Sequence, residues 1–111
     1  MSVIEIREFV DARGSSPFGR WVSRLDRHAA ARVATALYRM ERGNLSNVKG
    51  VGGGVLEYRI DFGPGYRIYF GRDGDALIIL LGGGTKMRQQ RDVEAAVSLW
   101  REYGRSKRQE G

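Results

Sequence analysis

A chain of 111 residues is long enough for one domain with one hydrophobic core, without disulfide or metal staples. It contains no cysteine, which excludes disulfide bonds, thiolate zinc sites and a thiol nucleophile, and fits a reducing, cytoplasmic location. Its 19 Lys and Arg against 13 Asp and Glu give a net charge of +6. This favours an anionic partner, such as nucleic acid or an acidic protein; a soluble basic domain without such a partner is the alternative.

The N-terminal part of the sequence predicts a strand followed by two helices. Apolar and charged residues alternate over residues 3–10, as in a strand with one buried face and unlike a signal peptide. Ser16 and Pro17 suit the N-cap and the first position of a helix. We expect Asp26 to cap a second helix over residues 27–42, so that the two helices form an αα-hairpin on a sheet.

Three strands are predicted in the middle of the chain. The glycine-rich segment 45–54 is expected to be irregular, with room for one short strand at residues 48–51. Apolar and polar residues alternate over residues 56–62 and again over residues 66–70, which is the period of half-buried strands. The uniformly apolar stretch 76–81 is typical of a strand that is buried on both faces.

The C-terminal part predicts one more helix. We expect the glycine run 82–84 to let the chain leave the sheet sharply, and Asp92 to cap a helix with an apolar stripe. The domain is assigned to residues 1–104, and residues 105–111 to a basic flexible tail. The predicted class is α+β in the order β-α-α-β-β-β-α. Its mainly antiparallel twisted sheet packs against the αα-hairpin, with the last helix at an edge or end.

Four segments carry a joint pattern along the chain. They are RVATALYRMERGN at residues 32–44, VKGVGGG at 48–54, YRIDFGPGYRIYFG at 58–71 and LLGGGTKMRQQRD at 80–92. In this order they resemble the RelE/ParE superfamily of bacterial type II toxins, in particular its HigB-like branch, often labelled addiction module killer proteins. The resemblance implies a RelE-like toxin that is inactive while its antitoxin is bound. Most RelE-like and HigB-like members cleave mRNA in the ribosomal A site, whereas ParE-like members inhibit DNA gyrase.

The resemblance also indicates candidate catalytic residues. Arg67 corresponds to an arginine that meets the scissile phosphate, where a fixed guanidinium can stabilise developing charge; a salt bridge to Glu57 or Asp61 is the structural alternative. Arg59 stands where the family has lysines, and Lys86 where it places a basic residue facing the site. Glu57 falls near another family lysine. It is either a general base for a ribose 2′-OH or an ion-pair partner of Arg59 or Arg67.

Four further residues are candidates for RNA binding. Tyr69 is predicted to stack on a base, because aromatic stacking tolerates every base. Lys49, Arg88 and Arg91 are predicted RNA or ribosome contacts, with a solvated basic surface as the alternative. His28 is the only histidine and is interpreted as a surface or capping residue, so no metal site is expected.

The leading interpretation is a ribosome-dependent mRNA endoribonuclease that needs no metal or small-molecule cofactor. In this interpretation a 2′-OH attacks its own 3′ phosphate, which the basic residues position. The expected partners are mRNA, the ribosome and a cognate helix-turn-helix antitoxin encoded by an adjacent small gene. No apolar run approaches the roughly 18 residues that span a bilayer, so no membrane partner is expected. A gyrase inhibitor and a non-catalytic module that binds antitoxin or nucleic acid remain as alternatives.

Overall fold

The computed structural model describes residues 3–110. These residues form five strands and three helices, joined by loops and turns. The strands are β1 (Glu5–Glu8), β2 (Val48–Gly52), β3 (Val55–Ile60), β4 (Tyr66–Arg72) and β5 (Leu77–Thr85). The helices are α1 (Pro17–Ser23), α2 (Arg27–Glu41) and α3 (Gln89–Glu110), and a 3-10 turn at Lys86–Arg88 precedes α3. The sheet order is β1-β5-β4-β3-β2, and only the β1–β5 pair is parallel. The predicted α+β class with a mainly antiparallel sheet is confirmed.

The first two helices begin where the sequence predicts. The Ser16 hydroxyl accepts a hydrogen bond from the Gly19 N–H at 2.9 Å, and Pro17 occupies the first helical position. The Asp26 carboxylate accepts from the Ala29 N–H at 2.8 Å. Each side chain satisfies one of the N–H groups that a helix start leaves unpaired, which is why local sequence is sufficient to place both starts.

One expectation about the strands is confirmed and one is wrong. The short strand for which the sequence left room at residues 48–51 is present as the edge strand β2, so four strands follow α2 where the predicted order has three. The glycine run 82–84 does not leave the sheet but continues β5 to Thr85, and none of these glycines has a positive φ. Their small size allows close packing instead: a Cβ atom at Gly83 would overlap the Trp21 ring, and one at Gly84 would overlap the Asp92 carboxylate.

Helix α3 also differs from the prediction. It begins at Gln89, so Asp92 lies in its first turn and is not its cap. The helix continues through residues 105–110, which the sequence assigned to the tail. It packs on the face of the sheet opposite the αα-hairpin, and not at an edge or end. No helix within residues 3–110 combines the length and the apolar character needed to cross a bilayer.

The sheet therefore separates two hydrophobic cores, and its strands supply side chains to them alternately. On the hairpin face the core contains Trp21 and Met40 with strand residues Tyr58, Ile60, Ile68, Phe70, Ile78 and Leu80. On the α3 face it contains Phe9 and Ala96 with strand residues Val55, Tyr69, Ile79 and Leu81. Charged residues that alternate with the hairpin-facing positions of β3 and β4 are thus directed toward the α3 face.

Candidate functional site

Five of the predicted site residues lie together on the α3 face of the sheet. In the register of β3 and β4, Glu57 stands opposite Tyr69 and Arg59 stands opposite Arg67. On β2, Lys49 stands opposite Glu57. Residues directly opposite each other on neighbouring strands point to the same face. We refer to Lys49, Glu57, Arg59, Arg67 and Tyr69 as the polar cluster.

The centre of the polar cluster is a buried ion pair. The side chains of Glu57 and Arg67 are only 1% and 8% exposed. The Arg67 Nε atom lies 3.5 Å from Glu57 Oε1, and the Lys49 Nζ atom lies 3.8 Å from the same oxygen. Asp61, the other proposed partner of Arg67, is instead 3.9 Å from the Arg59 Nε atom. The structure therefore contains the cross-strand pair of Arg67 with Glu57 that the sequence offered as the structural alternative.

The carboxylate of Glu57 is also held from the start of α3. The Gln89 side-chain Nε2 donates a hydrogen bond to Glu57 Oε2 at 2.8 Å. Gln89 is the first residue of α3 and directly follows the 3-10 turn that contains Lys86. The contact of Gln89 could not be predicted, because nothing in the local sequence distinguishes Gln89 from the adjacent Gln90.

Several polar atoms of the cluster are buried without a hydrogen-bond partner in residues 3–110. They are Glu57 Oε1, Arg67 Nε, Arg67 Nη1 and the Tyr69 hydroxyl. Leaving a buried polar group unsatisfied costs on the order of 1–3 kcal/mol, so folded proteins rarely collect several at one place. Two of these atoms, Glu57 Oε1 and Arg67 Nε, face each other in the ion pair, and the concentration of all four makes the polar cluster a candidate binding site for a polar group.

Tyr69 does not have the exposure that base stacking requires. It is completely buried and belongs to the core on the α3 face, next to Val55 and Leu81. The prediction that its ring stacks on an RNA base is therefore wrong for this conformation. Burial raises the pKa of Tyr69, and the charge of Glu57 acts in the same direction. The phenol of Tyr69 thus stays protonated and lies within the core, on the same face of the sheet as the other residues of the polar cluster.

Lys86 lies at the rim of the cluster. Its side chain is exposed, and its backbone N–H donates to the Gly65 carbonyl at 3.2 Å. Gly65 is in turn close to Arg67, since a Cβ atom placed on Gly65 would lie 3.7 Å from Arg67 Nη1. The structure therefore brings the backbone of Lys86 near Arg67, and the role of its side chain stays a prediction.

Arg88 and Arg91 lie beside Asp92 at the beginning of α3. Both are exposed. Burial raises the pKa of Asp92, and the two arginines oppose that shift. Neither arginine forms an ion pair with Glu57 within the described part of the chain. They extend the positive surface around the cluster without joining its centre.

Two cavities share the lining residue Arg59. One, of about 290 Å³, lies between α2 and β3 and is lined by Arg32, Arg39 and Arg59, which we call the arginine cleft. The other, of about 220 Å³, is lined by Lys49, Glu57 and Arg59. Arg59 lines both cavities, and Asp61, which pairs with Arg59, also lines the arginine cleft.

Two other places within residues 3–110 lie apart from the polar cluster. A cavity of about 660 Å³ between β1 and the C-terminal half of α3 is lined by none of the predicted site residues. His28 is exposed in the first turn of α2. Residues 3–110 contain no group of three or more His, Cys, Asp or Glu side chains arranged to hold a metal ion.

Comparisons with known proteins give a sequence relative and a likeness to a solved structure. No family model matches the chain. It is 39% identical over 88 residues to an uncharacterized protein of Haemophilus influenzae, which covers 78% of this chain and 89% of that protein. The fold is similar, with a TM-score of 0.59 and 17% identity, to a chain in the crystal structure of the toxin-antitoxin complex RelBE2 from Mycobacterium tuberculosis. The match covers 76% of this chain and 99% of that chain, and it confirms the predicted RelE-like fold.

Proposed function

We propose, from the premise that this chain belongs to the family of the Haemophilus influenzae protein and has a RelE-like fold, that it is the toxin of a type II toxin–antitoxin module. We assign it to the HigB-like branch and infer that it cleaves mRNA on the ribosome. The observation that carries the proposal is the polar cluster. A buried arginine, a buried carboxylate and unsatisfied polar atoms converge there beneath an exposed basic rim.

The cluster offers the groups that RNA cleavage by an internal 2′-OH requires. Glu57 Oε1 accepts no hydrogen bond within residues 3–110. It takes the proton of the 2′-OH while the 2′-oxygen forms a bond to the adjacent phosphorus. The Arg67 guanidinium binds the non-bridging oxygens and stabilises the charge that builds on them. The bond from phosphorus to the 5′-oxygen breaks, and Lys86 neutralises that oxygen as it takes up a proton from solvent. The products are a 2′,3′-cyclic phosphate and a free 5′-OH.

The burial of the ion pair gives a reason for dependence on the ribosome. In the free protein Arg67 already faces Glu57, and both side chains are almost inaccessible to solvent. A phosphate must compete with the carboxylate for Arg67 before chemistry begins. Holding the mRNA in a fixed position on the ribosome lowers the entropic cost of that competition, which free RNA would pay in full.

An antitoxin is the proposed protein partner. The chain carries a net charge of +6, and the RelBE2 structure whose chain shares its fold is that of a toxin-antitoxin complex. We infer that the product of an adjacent small gene, with a helix-turn-helix domain, covers the polar cluster and its basic rim. Co-purification of the two proteins from a co-expressing strain tests this partner. Separate elution at micromolar concentration would contradict it.

The proposed activity is tested with purified protein in a reconstituted translation reaction. We expect cuts within translated codons of a reporter mRNA, 5′-OH ends downstream of the cuts, and far slower cutting of the same RNA without ribosomes. Arg105→Gln, which removes an exposed charge of α3 away from the cluster, should cut like the wild type. Equal rates on free RNA would contradict the ribosome dependence, and an absence of cuts in both reactions would contradict the nuclease.

A further inference from the structure

We propose that Gln89 is a positioning residue that orients the Glu57 carboxylate toward the reacting ribose, an inference that rests on the proposed ribonuclease function. The two side chains come from distant parts of the sequence. Glu57 lies on β3, and Gln89 is the first residue of α3. Their hydrogen bond links the catalytic face of the sheet to the helix that packs on it.

The geometry divides the two oxygens of Glu57 between two tasks. Oε2 accepts the Gln89 amide at 2.8 Å. Oε1 lies 3.5 Å from Arg67 Nε and 3.8 Å from Lys49 Nζ, and it accepts no hydrogen bond within residues 3–110. One oxygen is therefore fixed to the scaffold. The other is buried beside the two cations that would hold a phosphate, and it accepts no hydrogen bond, as a general base for the neighbouring 2′-OH requires.

The amide of Gln89 suits this task because it is neutral. A lysine or arginine at the same place would add a third cation beside Glu57 and pair with its carboxylate. A glutamate would repel the carboxylate. A neutral donor instead fixes the rotation of the carboxylate while leaving its charge for the 2′-OH, and holding a reacting group in one orientation is itself a source of rate.

The fold holds Gln89 in place independently of the cluster. The helix that begins at Gln89 is anchored by the core on the α3 face, where Ala96 is fully packed against the sheet. The next residue, Gln90, is exposed, and its side chain forms no hydrogen bond within the described part of the chain. Gln90 therefore provides a matched control, since the same substitution can be made one position away on the same helix.

The experiment is a double-substitution cycle on ribosome-bound mRNA. Gln89→Met keeps the length of the side chain and removes the donor. We expect it to lower kcat about 10- to 100-fold, the usual effect of losing a group that orients a reacting residue, with KM changed less than about twofold. Gln90→Met should leave both constants unchanged. In a Glu57→Gln background, Gln89→Met should cause no further loss, because its effect passes through Glu57.

Stability is measured beside activity so that unfolding cannot imitate the result. Thermal melting of each variant verifies the fold. Gln89→Asn, which withdraws the amide by one methylene, is a second variant that should also lower kcat if the first does not fold. A wild-type kcat in a folded Gln89→Met variant would overturn the proposal, as would a rise in KM alone or an additive loss in the double variant. Wild-type protein that cuts no mRNA would overturn the ribonuclease function itself, and the role of Gln89 with it.

Discussion

At the scale of single residues, the pair of Glu57 and Arg67 combines a structural and a chemical role. Both side chains are buried. The 3.5 Å distance between Arg67 Nε and Glu57 Oε1 is longer than that of a good charged hydrogen bond. Attraction in the protein interior then offsets only part of the cost of desolvation. The pair is thus better explained by what it can do to a phosphate than by what it adds to stability.

This reasoning predicts how the pair responds to substitution. Arg67→Met alone should lower the free energy of unfolding by about 3–5 kcal/mol, because it leaves Glu57 charged and buried without its partner. The double variant Glu57→Leu/Arg67→Met should recover most of that loss, since neither charge remains. Urea unfolding of the wild type and both variants measures the difference. A single variant as stable as the wild type would show that the pair is not desolvated in solution.

The residues of the site were only partly predictable from the sequence. Strand alternation places Tyr69, Arg67 and Glu57 on one face, because side chains alternate along any strand. It does not say what covers that face, so the burial of Tyr69 under α3 was missed. Gln89 was missed for the same reason, since its hydrogen bond to Glu57 depends on where the helix packs and not on a local pattern.

At the scale of elements, the glycine run of β5 is set by packing against the helices. Gly83→Ala should destabilise the protein by about 1–3 kcal/mol, because the new methyl group would overlap the Trp21 ring. Gly82→Ala is the matched control. It has the same extended backbone and no atom within 4 Å of the new Cβ, so its effect should be within about 0.5 kcal/mol. Equal effects in urea unfolding would contradict this explanation of the run.

Hydrogen bonds connect the C-terminal half of α3 to the turn between β4 and β5. The Asp73 carboxylate accepts hydrogen bonds from Tyr103 at 2.6 Å and from Lys107 at 2.5 Å. The Lys107 ammonium, followed by the Tyr103 hydroxyl, holds the pKa of Asp73 below its usual range. Burial and Asp73 raise the pKa of Tyr103 to about 12, so its hydroxyl remains a donor at neutral pH.

A pH dependence of stability follows from the lowered pKa of Asp73. A carboxylate whose folded-state pKa lies below its unfolded value stabilises the fold above the unfolded pKa of about 4, and this contribution is lost as the pH falls through the folded pKa. Asp73→Asn should therefore lower Tm at pH 7, and its difference from the wild type should shrink below about pH 4. Asp75→Asn in the same turn is the control. A Tm difference that stays constant from pH 7 to pH 3 would contradict the role of Asp73.

Helix starts show which element boundaries the sequence can predict. Ser16 and Asp26 cap α1 and α2, because each side chain accepts a hydrogen bond from the backbone N–H three residues further along the chain. Both starts were predicted. Before α3 the cap position of the 3-10 turn is Thr85, whose side chain makes no capping hydrogen bond. The start at Gln89 depends on tertiary packing, which explains why Asp92 was wrongly predicted as the cap.

At the scale of the whole molecule, the arginine cleft beside α2 is a second place where basic residues gather, apart from the polar cluster. Arg32 and Arg39 line this cleft, are exposed and form no ion pair within residues 3–110. If RNA phosphates contact them, Arg32→Gln/Arg39→Gln should flatten the plot of log K against log salt by about 0.7 per lost contact for a single strand. Fluorescence anisotropy with a non-cleavable RNA measures this slope. Arg27→Gln, on α2 but outside the cleft, is the control, and equal slopes for all proteins would contradict an RNA contact in the cleft.

We propose that this protein with a RelE-like fold cleaves translated mRNA through Arg67. The most direct test is to induce wild type, Arg67→Lys and the control Arg105→Gln in a sensitive bacterium and to map mRNA 5′ ends after a few minutes. Lysine preserves the charge opposite Glu57 but not the guanidinium fork that binds two phosphate oxygens. We predict in-frame cuts with wild type and Arg105→Gln, and at least about tenfold fewer with a folded Arg67→Lys variant. Growth arrest with intact mRNA would contradict the claim and indicate a different target, such as DNA gyrase.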